Sequence, residues 1–269
     1  MKLKVLVDNN TFIDQYYFGE PAWCCYIEES GKKILLDTGY SDIFLKNAEL
    51  MGINLGDIST LVISHGHNDH TWGMPYLFDR HDMSKVDLVA APGCFDPKRF
   101  ENLEIGSPFS KDELAQKVNL IETDIPFDIT DNLVFLGTIP DIFDFEKRLV
   151  IGEKQINGKW IEDTNMEDSA LALKTDKGLV IITACSHSGI CNITEYAKEV
   201  CDDKRIRGVI GGFHLFDVDE RLEKTTDYLA AQNPEFMYPA HCVSLAAKIY
   251  MSKKLPVGEV GVNFELNID

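Results

Sequence analysis

Apolar residues along the chain fall into short runs that read as strands, interleaved with longer stretches of helical period. "LKVLV" (3–7), "WCCYIE" (23–28) and "KKILLDTG" (32–39) are rich in the residues that suit a pleated, half-buried surface. "ESGKK" between the last two predicts a hairpin turn with Gly31 at positive φ. "SDIFLKNAELMG" (41–52) predicts a helix with Ser41 as N-cap and Gly52 as stop. "STLVISH" (59–65) and "VDLVAAP" (86–92) read as buried strands. Residues 93–130 are the least regular, with one short helix candidate, "SKDELAQKV" (110–118), and an insertion or flap is expected there. "NLVFLGTI" (132–139), "SALALKT" (169–175) and "GLVIITA" (178–184) are further strands. Helices over "NITEYAKEVC" (192–201), "DERLEKTTDYLAAQ" (219–232) and "SLAAKIYM" (244–251) then alternate with strands over "IRGVIGG" (206–212) and "EFMYPA" (235–240). Strands followed by helices, twice over, predict helices on the outsides of two packed sheets: an α/β chain, a four-layer αββα sandwich, in a single domain over 1–269.

Composition narrows the partners. The formal net charge is −18, which disfavours a nucleic-acid backbone or an anionic membrane surface and leaves room for a small ligand met by a local cationic site. No apolar stretch approaches the roughly 20 residues of a membrane helix. The apolar run at the start breaks at Asp8, too early for a secretory segment. The seven cysteines fit no CxxC pattern and read as reduced thiols, so a cytoplasmic location is expected.

The chemistry concentrates in "ISHGHNDHTWGM" (63–74). His65 and His67, two apart after a strand, can converge on one cation. Asp69 and His70, turning into the next helix, can address a second. The bland alternative is a histidine-rich surface turn. Further ligands must come from elsewhere, and histidines at the ends of strands are the candidates: His187 after "GLVIITA", His214 in "GGFHL" and His241 in "YPAHC". His187 and His241 are read as ligands. His214 is left open between ligand, substrate contact and support of a ligand. His81 in "DRHD" lacks a strand-end setting and reads as a solvated helix residue.

"LLDTG" (35–39), "SHGHNDH" (64–70), "CSHSG" (185–189) and "PAHC" (239–242) together resemble the metallo-β-lactamase superfamily. "CSHSGI" and "GGFHL" resemble its branch named after 7,8-dihydropterin-6-methyl-4-(β-D-ribofuranosyl)aminobenzene 5′-phosphate synthase. The resemblance implies one or two divalent ions, zinc first and manganese, iron or nickel as alternatives. His65 and His67 would bind the first ion, Asp69 and His70 the second, and Asp37 would orient a metal-bound histidine by a hydrogen bond. The chain departs from the superfamily twice. The stretch that usually carries an "HTPG"-like histidine reads "NMEDSALALKT" (165–175), leaving Glu167 or Asp168 as stand-in. The usual bridging aspartate is missing, and "TACSHSG" offers His187, which would hold two ions unequally. The function expected is a metal-dependent hydrolase, or synthase, acting through a metal-bound water or hydroxide on a small polar substrate, phosphorylated or pterin-like. Asp69 would take a proton, His214 would act beside the substrate, and residues 93–130 with the aromatic loop 12–19 would wall the pocket. The alternatives are a nuclease, disfavoured by charge, a di-iron redox protein, and a metal-binding module without catalysis.

Overall fold

The computed structural model describes residues 1–269. The chain divides into two compact units. The first comprises Met1–Asp124, Val150–Glu167 and Gly261–Asp269, and the second Ile125–Leu149 and Asp168–Val260.

The first unit is built on a seven-stranded sheet, in the order Glu265–Asn267, Lys2–Val7, Cys24–Glu29, Lys32–Leu36, Thr60–Val62, Asp87–Ala90, Asn119–Glu122. The hairpin half is antiparallel, and from Lys32–Leu36 onward neighbours run parallel. Parallel neighbours need crossovers, and these carry helices α1 (Ile43–Leu50), α2 (Asn68–Thr71), α3 (Met74–Arg80) and α4 (Lys111–Leu114). Phe44, Leu45 and Ala48 of α1 and Met74 and Leu77 of α3 pack on one sheet face, against Leu6, Cys24, Leu35, Leu61 and Leu88. Burying each such side chain contributes roughly 1.5–3 kcal/mol. Alternate positions, Val5, Cys25, Ile27, Ile34, Leu36 and Val62, make the second face apolar too. Ser30 and Gly31 both take positive φ, as the hairpin requires. Helix α1 starts one residue later than its sequence suggests, with Asp42 as N-cap, although the Ser41 hydroxyl still accepts from the Ile43 N–H at 3.3 Å while donating to Glu20 at 2.7 Å.

Much of the stretch 93–130, expected as an insertion or flap, is built into sheets. Asn119–Glu122 closes the edge of the seven-stranded sheet, and Phe127–Asp128 belongs to the second unit's sheet. Lys98–Phe100 and Leu103–Glu104 join Glu153–Ile156 and Lys159–Glu162 in a separate four-stranded antiparallel sheet. A Ser110–Glu113 capping box starts α4.

The second unit has a six-stranded sheet, in the order Phe236–Pro239, Ile206–Gly211, Leu179–Ile182, Leu171–Leu173, Leu133–Phe135, Phe127–Asp128. Its first three strands are parallel. Helices α5 (Ile190–Cys201), α6 (Glu220–Ala231) and α7 (Leu245–Met251) cover one face: Ile193, Ala197, Leu222, Leu229 and Ala247 pack with Ala172, Ile181, Val209 and Met237. Asp219 and Ser244 cap α6 and α7 through side-chain bonds. Helix α5 is capped from a distance. The buried Glu146 carboxylate accepts from the backbone N–H groups of Cys191 at 2.8 Å and Asn192 at 2.9 Å. No helix is long and apolar enough to cross a membrane.

Candidate metal centre

In the first unit the ends of adjacent parallel strands lie side by side, and the Asp37 N–H donates to the Val62 carbonyl at 2.8 Å. Asp37, at φ 59°, thereby faces the start of the histidine run. Its carboxylate organises that run. Oδ1 accepts from the Ser64 N–H at 2.8 Å, while Oδ2 accepts from the Ser64 hydroxyl at 2.7 Å and from His70 Nδ1 at 2.8 Å. The hydrogen bond from Asp37 to a histidine of the motif, implied by the resemblance, is thus made to His70. The Ser64 hydroxyl spends its one proton on Asp37, so at 3.0 Å from His65 Nδ1 it accepts. One buried carboxylate therefore fixes two imidazoles with Nδ1 protonated, and turns His65 Nε2 towards His67 Nδ1, 3.2 Å away. Two imidazole nitrogens bound tetrahedrally to one zinc ion at about 2.0–2.1 Å would be roughly 3.3 Å apart.

His65, His67 and Asp69 each offer a ligand atom within 4.8 Å of the others. His70 Nε2 lies 3.4 Å from Asp69, and the His65 and His70 rings are 4.2 Å apart. Charge suits a cation here. Burial pushes His67 down to about 4, so it is a neutral donor at neutral pH. Burial also works against charge on His70, but Asp69 and Asp37 outweigh it and raise the pKa to about 10. Two carboxylates thus hold a proton where a metal ion can replace it. The His65, His67 and Asp69 donors, set by a hydrogen-bonded outer shell, fit a divalent transition metal, with His70 Nε2 beside Asp69.

The backbone at Gly66 is equally constrained. A Cβ there would lie 2.1 Å from the Cys94 carbonyl oxygen and 2.8 Å from Lys98 Cε. Lys98 is itself buried, in ion pairs with Asp163 and, at 2.8 Å, with Glu167. Burial disfavours its charge, but the two carboxylates hold its pKa above the usual lysine value. Glu167, a sequence candidate for the missing ligand, is therefore engaged by Lys98. Asp168, the other candidate, accepts from the N–H and the hydroxyl of Ser188 in the second unit.

The second unit gathers its own set at the ends of its parallel strands. The His187 and His214 rings lie 4.5 Å apart, and the His214 ring meets Phe216. The His214 N–H donates to Cys242 Sγ at 3.3 Å, and the Cys242 thiol donates to the Cys185 carbonyl at 3.6 Å. The Cys185 thiol is within 4.8 Å of a ring nitrogen of His187 and of one of His241. Sequence reading passed over Cys185 because it belongs to no CxxC pair; the available signal was its place just past a buried strand. Ser64 and Lys98 were also missed, since their partners lie far away or in the backbone. His81 is not a solvated helix residue: it is the partly buried C-cap of α3, its N–H donating to the Leu77 carbonyl.

Residues 17–91 match the profile of the metallo-beta-lactamase superfamily. The chain is 32% identical over 264 residues to the uncharacterised protein MJ0448 of Methanocaldococcus jannaschii, covering 96% of this chain and 98% of that one. It is 28% identical over 235 residues to the 7,8-dihydropterin-6-methyl-4-(β-D-ribofuranosyl)-aminobenzene-5′-phosphate synthase of the same organism, covering 82% and 80%. Among solved structures, Tm1679, described as a metal-dependent hydrolase of the β-lactamase superfamily, matches with a TM-score of 0.85 and 26% identity over 100% of this chain and 99% of that one. With its two helix-covered sheets and its HxHxDH run, the chain has the superfamily's α/β fold and belongs to the metallo-β-lactamase superfamily, within the branch that resembles the dihydropterin synthase.

Proposed function

We propose that the chain is a metal-dependent hydrolase of a small polar substrate. His65, His67, Asp69 and His70 are its ligands from the first unit, and His187 and His241 are the further ligands. Zinc is the first choice of metal, with manganese, iron or nickel as alternatives. The observation that carries the proposal is the Asp37 network, which presents His65 Nε2 and His70 Nε2 as donors from a buried position. A bound divalent ion supplies Lewis acidity and lowers the pKa of water towards 7. The chain's residues supply the rest. Asp69 keeps 26% of its side chain open to solvent, while that of His70 is fully buried. Asp69 is therefore the group of the cluster that takes a proton from the attacking water and passes it on. His214, beside His187, contacts the substrate.

The first unit also contains a cavity of about 480 Å³, within the range of small-molecule sites. Trp72, Phe95, Phe109 and Trp160 line it together with Lys98 and Gln155. Trp72 follows the motif directly, its Nε1 donating to the Gly106 carbonyl at 2.8 Å, and Arg99 stacks on Trp160 at 4.1 Å. Indoles held in this way suit a flat ring, such as a pterin-like group. The cavity draws on residues 95–110, whereas in the aromatic loop Ile13 and Tyr16 are exposed at 91% and 88%. A nucleic-acid substrate is not part of the proposal, given the net charge of −18.

A condensation in place of hydrolysis is the second reading, favoured by the similarity to the M. jannaschii synthase over most of both chains. The test is elemental analysis of the purified protein, followed by a screen of phosphoesters, lactones and thioesters before and after chelation. One or two divalent ions per chain, with hydrolysis lost on stripping and restored by zinc, is the expected result. A protein that binds no divalent ion, or that hydrolyses none of these classes with any of the four metals, overturns the proposal.

A further inference from the structure

Part of the four-stranded sheet of the first unit lines the cavity of about 480 Å³, and its register decides which side chains meet there. Gln155 and Trp160 stand directly opposite one another in the hairpin of Glu153–Ile156 with Lys159–Glu162. Both therefore project from one face, and both line the cavity. The Trp160 indole is braced by Arg99, whose Nε and Nη2 lie 2.8 and 2.7 Å from the Glu153 carboxylate. Trp72 spends its one polar atom on the Gly106 carbonyl, so it offers the cavity only π surface. The polar groups of the lining are more telling. The Lys98 ammonium is claimed by Asp163 and Glu167. The Gln155 backbone N–H donates to the Pro97 carbonyl at 2.8 Å, which fixes the residue, while its side-chain amide makes no hydrogen bond within the protein. Glu104, also in the lining, has no cation paired with it. The cavity thus offers aromatic surface, one free amide, one free carboxylate and no uncommitted cation. An anionic group gains nothing there. A flat neutral ring gains stacking, and an edge with N–H beside C=O gains two bonds more, because a primary amide can donate to the carbonyl and accept from the N–H at once.

We propose that the Gln155–Trp160 hairpin is the specificity-determining part of the chain, and that it takes a neutral, fused heteroaromatic ring with a lactam edge, the chemistry that oxopterins and oxopurines share. Trp160 stacks on the ring, Gln155 pairs with its N–H and C=O, and Glu104 accepts from an amino group next to that edge. The inference rests on the small-polar-substrate reading above and adds a division of labour to it. Residues that neither bind metal nor move protons choose the ring, and any phosphate on the same substrate lies outside this cavity.

The test is equilibrium dialysis of the metal-free full chain against 6-hydroxymethylpterin, guanosine and quinoxaline, the last a flat fused ring without the lactam. At least one of the first two should bind with a Kd at or below about 1 mM, as rings of this size can; which of them binds identifies the source of the ring. Quinoxaline should bind at least about tenfold more weakly, a comparison that needs no variant. Gln155→Leu should bring the lactam ring down to the quinoxaline level. Trp160→Leu should weaken binding at least about fivefold, and Trp160→Phe, which keeps an aromatic face, should recover part of the loss. Excess inorganic phosphate should displace nothing. Failure of both lactam rings to bind, equal binding of quinoxaline, full affinity in Gln155→Leu, or displacement by phosphate overturns the subsite. A metal-loaded chain that hydrolyses its substrate while no ring binds overturns this inference alone, whereas rings bound by a chain that holds no metal sustain it and overturn the hydrolase reading.

Discussion

The two units position their imidazoles by different means. In the first, His65, His67 and His70 follow one another within one short turn and helix, and none of them has a positive φ. Their orientation comes from a buried carboxylate, with the unusual backbone angle placed on that support, Asp37, at φ 59°. In the second, His214 and His241 themselves take φ values of 50° and 48°, and Ser186 takes 57° between Cys185 and His187. One set is aimed by charge and hydrogen bonds on ordinary backbone. The other is aimed by left-handed backbone at the ends of parallel strands. The first should be fragile to loss of a single charge, and the second should hold strain that glycine relieves.

The largest break in this contrast is Asp37→Ala. It strips His70 of a buried counter-charge and Ser64 of two acceptor contacts, and should cost about 5 kcal/mol in urea unfolding of the metal-free protein. A loss under about 1 kcal/mol would show that the carboxylate does not hold the first set. Lys98→Met comes next. It leaves Glu167 buried without its cation and Asp163 with Lys154 alone, 3.5 Å away, and should cost about 3 kcal/mol by the same measurement, with the cavity otherwise filled. His67→Ala removes one neutral donor and should weaken metal binding about a hundredfold, or ~2.7 kcal/mol, in a chelator competition; full metal content at low free metal would count against the ligand set. The smallest effect is one of sign. His241→Gly should raise the stability of the metal-free protein by about 0.5 kcal/mol, the left-handed strain relieved less the extra chain entropy of glycine, whereas His70→Gly should lower it. A destabilised His241→Gly would dissolve the distinction between the units.

The elements that could be read from sequence are those with one buried face. The strands over Lys2–Val7 and Ile206–Gly211 and the helices α5 and α6 lie close to where their periodicity puts them. The four-stranded sheet was not read, although its Asn157-Gly158 turn is a hairpin signal. "KRF", "LE", "EKQI" and "KWIE" are short and largely polar, and although they form two local hairpins, the pairing that joins these into one sheet links residues about fifty positions apart, Arg99 with Glu153. At the site, the histidine run announced itself because its ligands are contiguous. Cys185 did not, since its only local signal, a place just past the buried Leu179–Ile182 strand, is one that core thiols share. Glu167 looked available because its cation, Lys98, lies far back in the chain.

Glu146 has a consequence for selectivity among anions. The amino end of a helix is a ready receptor for phosphate, with its N–H groups unclaimed and its dipole favouring negative charge. At α5 the chain supplies that anion itself: Glu146 accepts from Cys191 and Asn192 out of solvent's reach. An incoming phosphate would have to evict a covalently tethered competitor at very high effective concentration, and leave a buried carboxylate with the Thr225 hydroxyl, 3.3 Å away, in place of two N–H donors. Helix α5 is therefore self-liganded, and a phosphorylated compound entering the second unit must find its countercharge elsewhere.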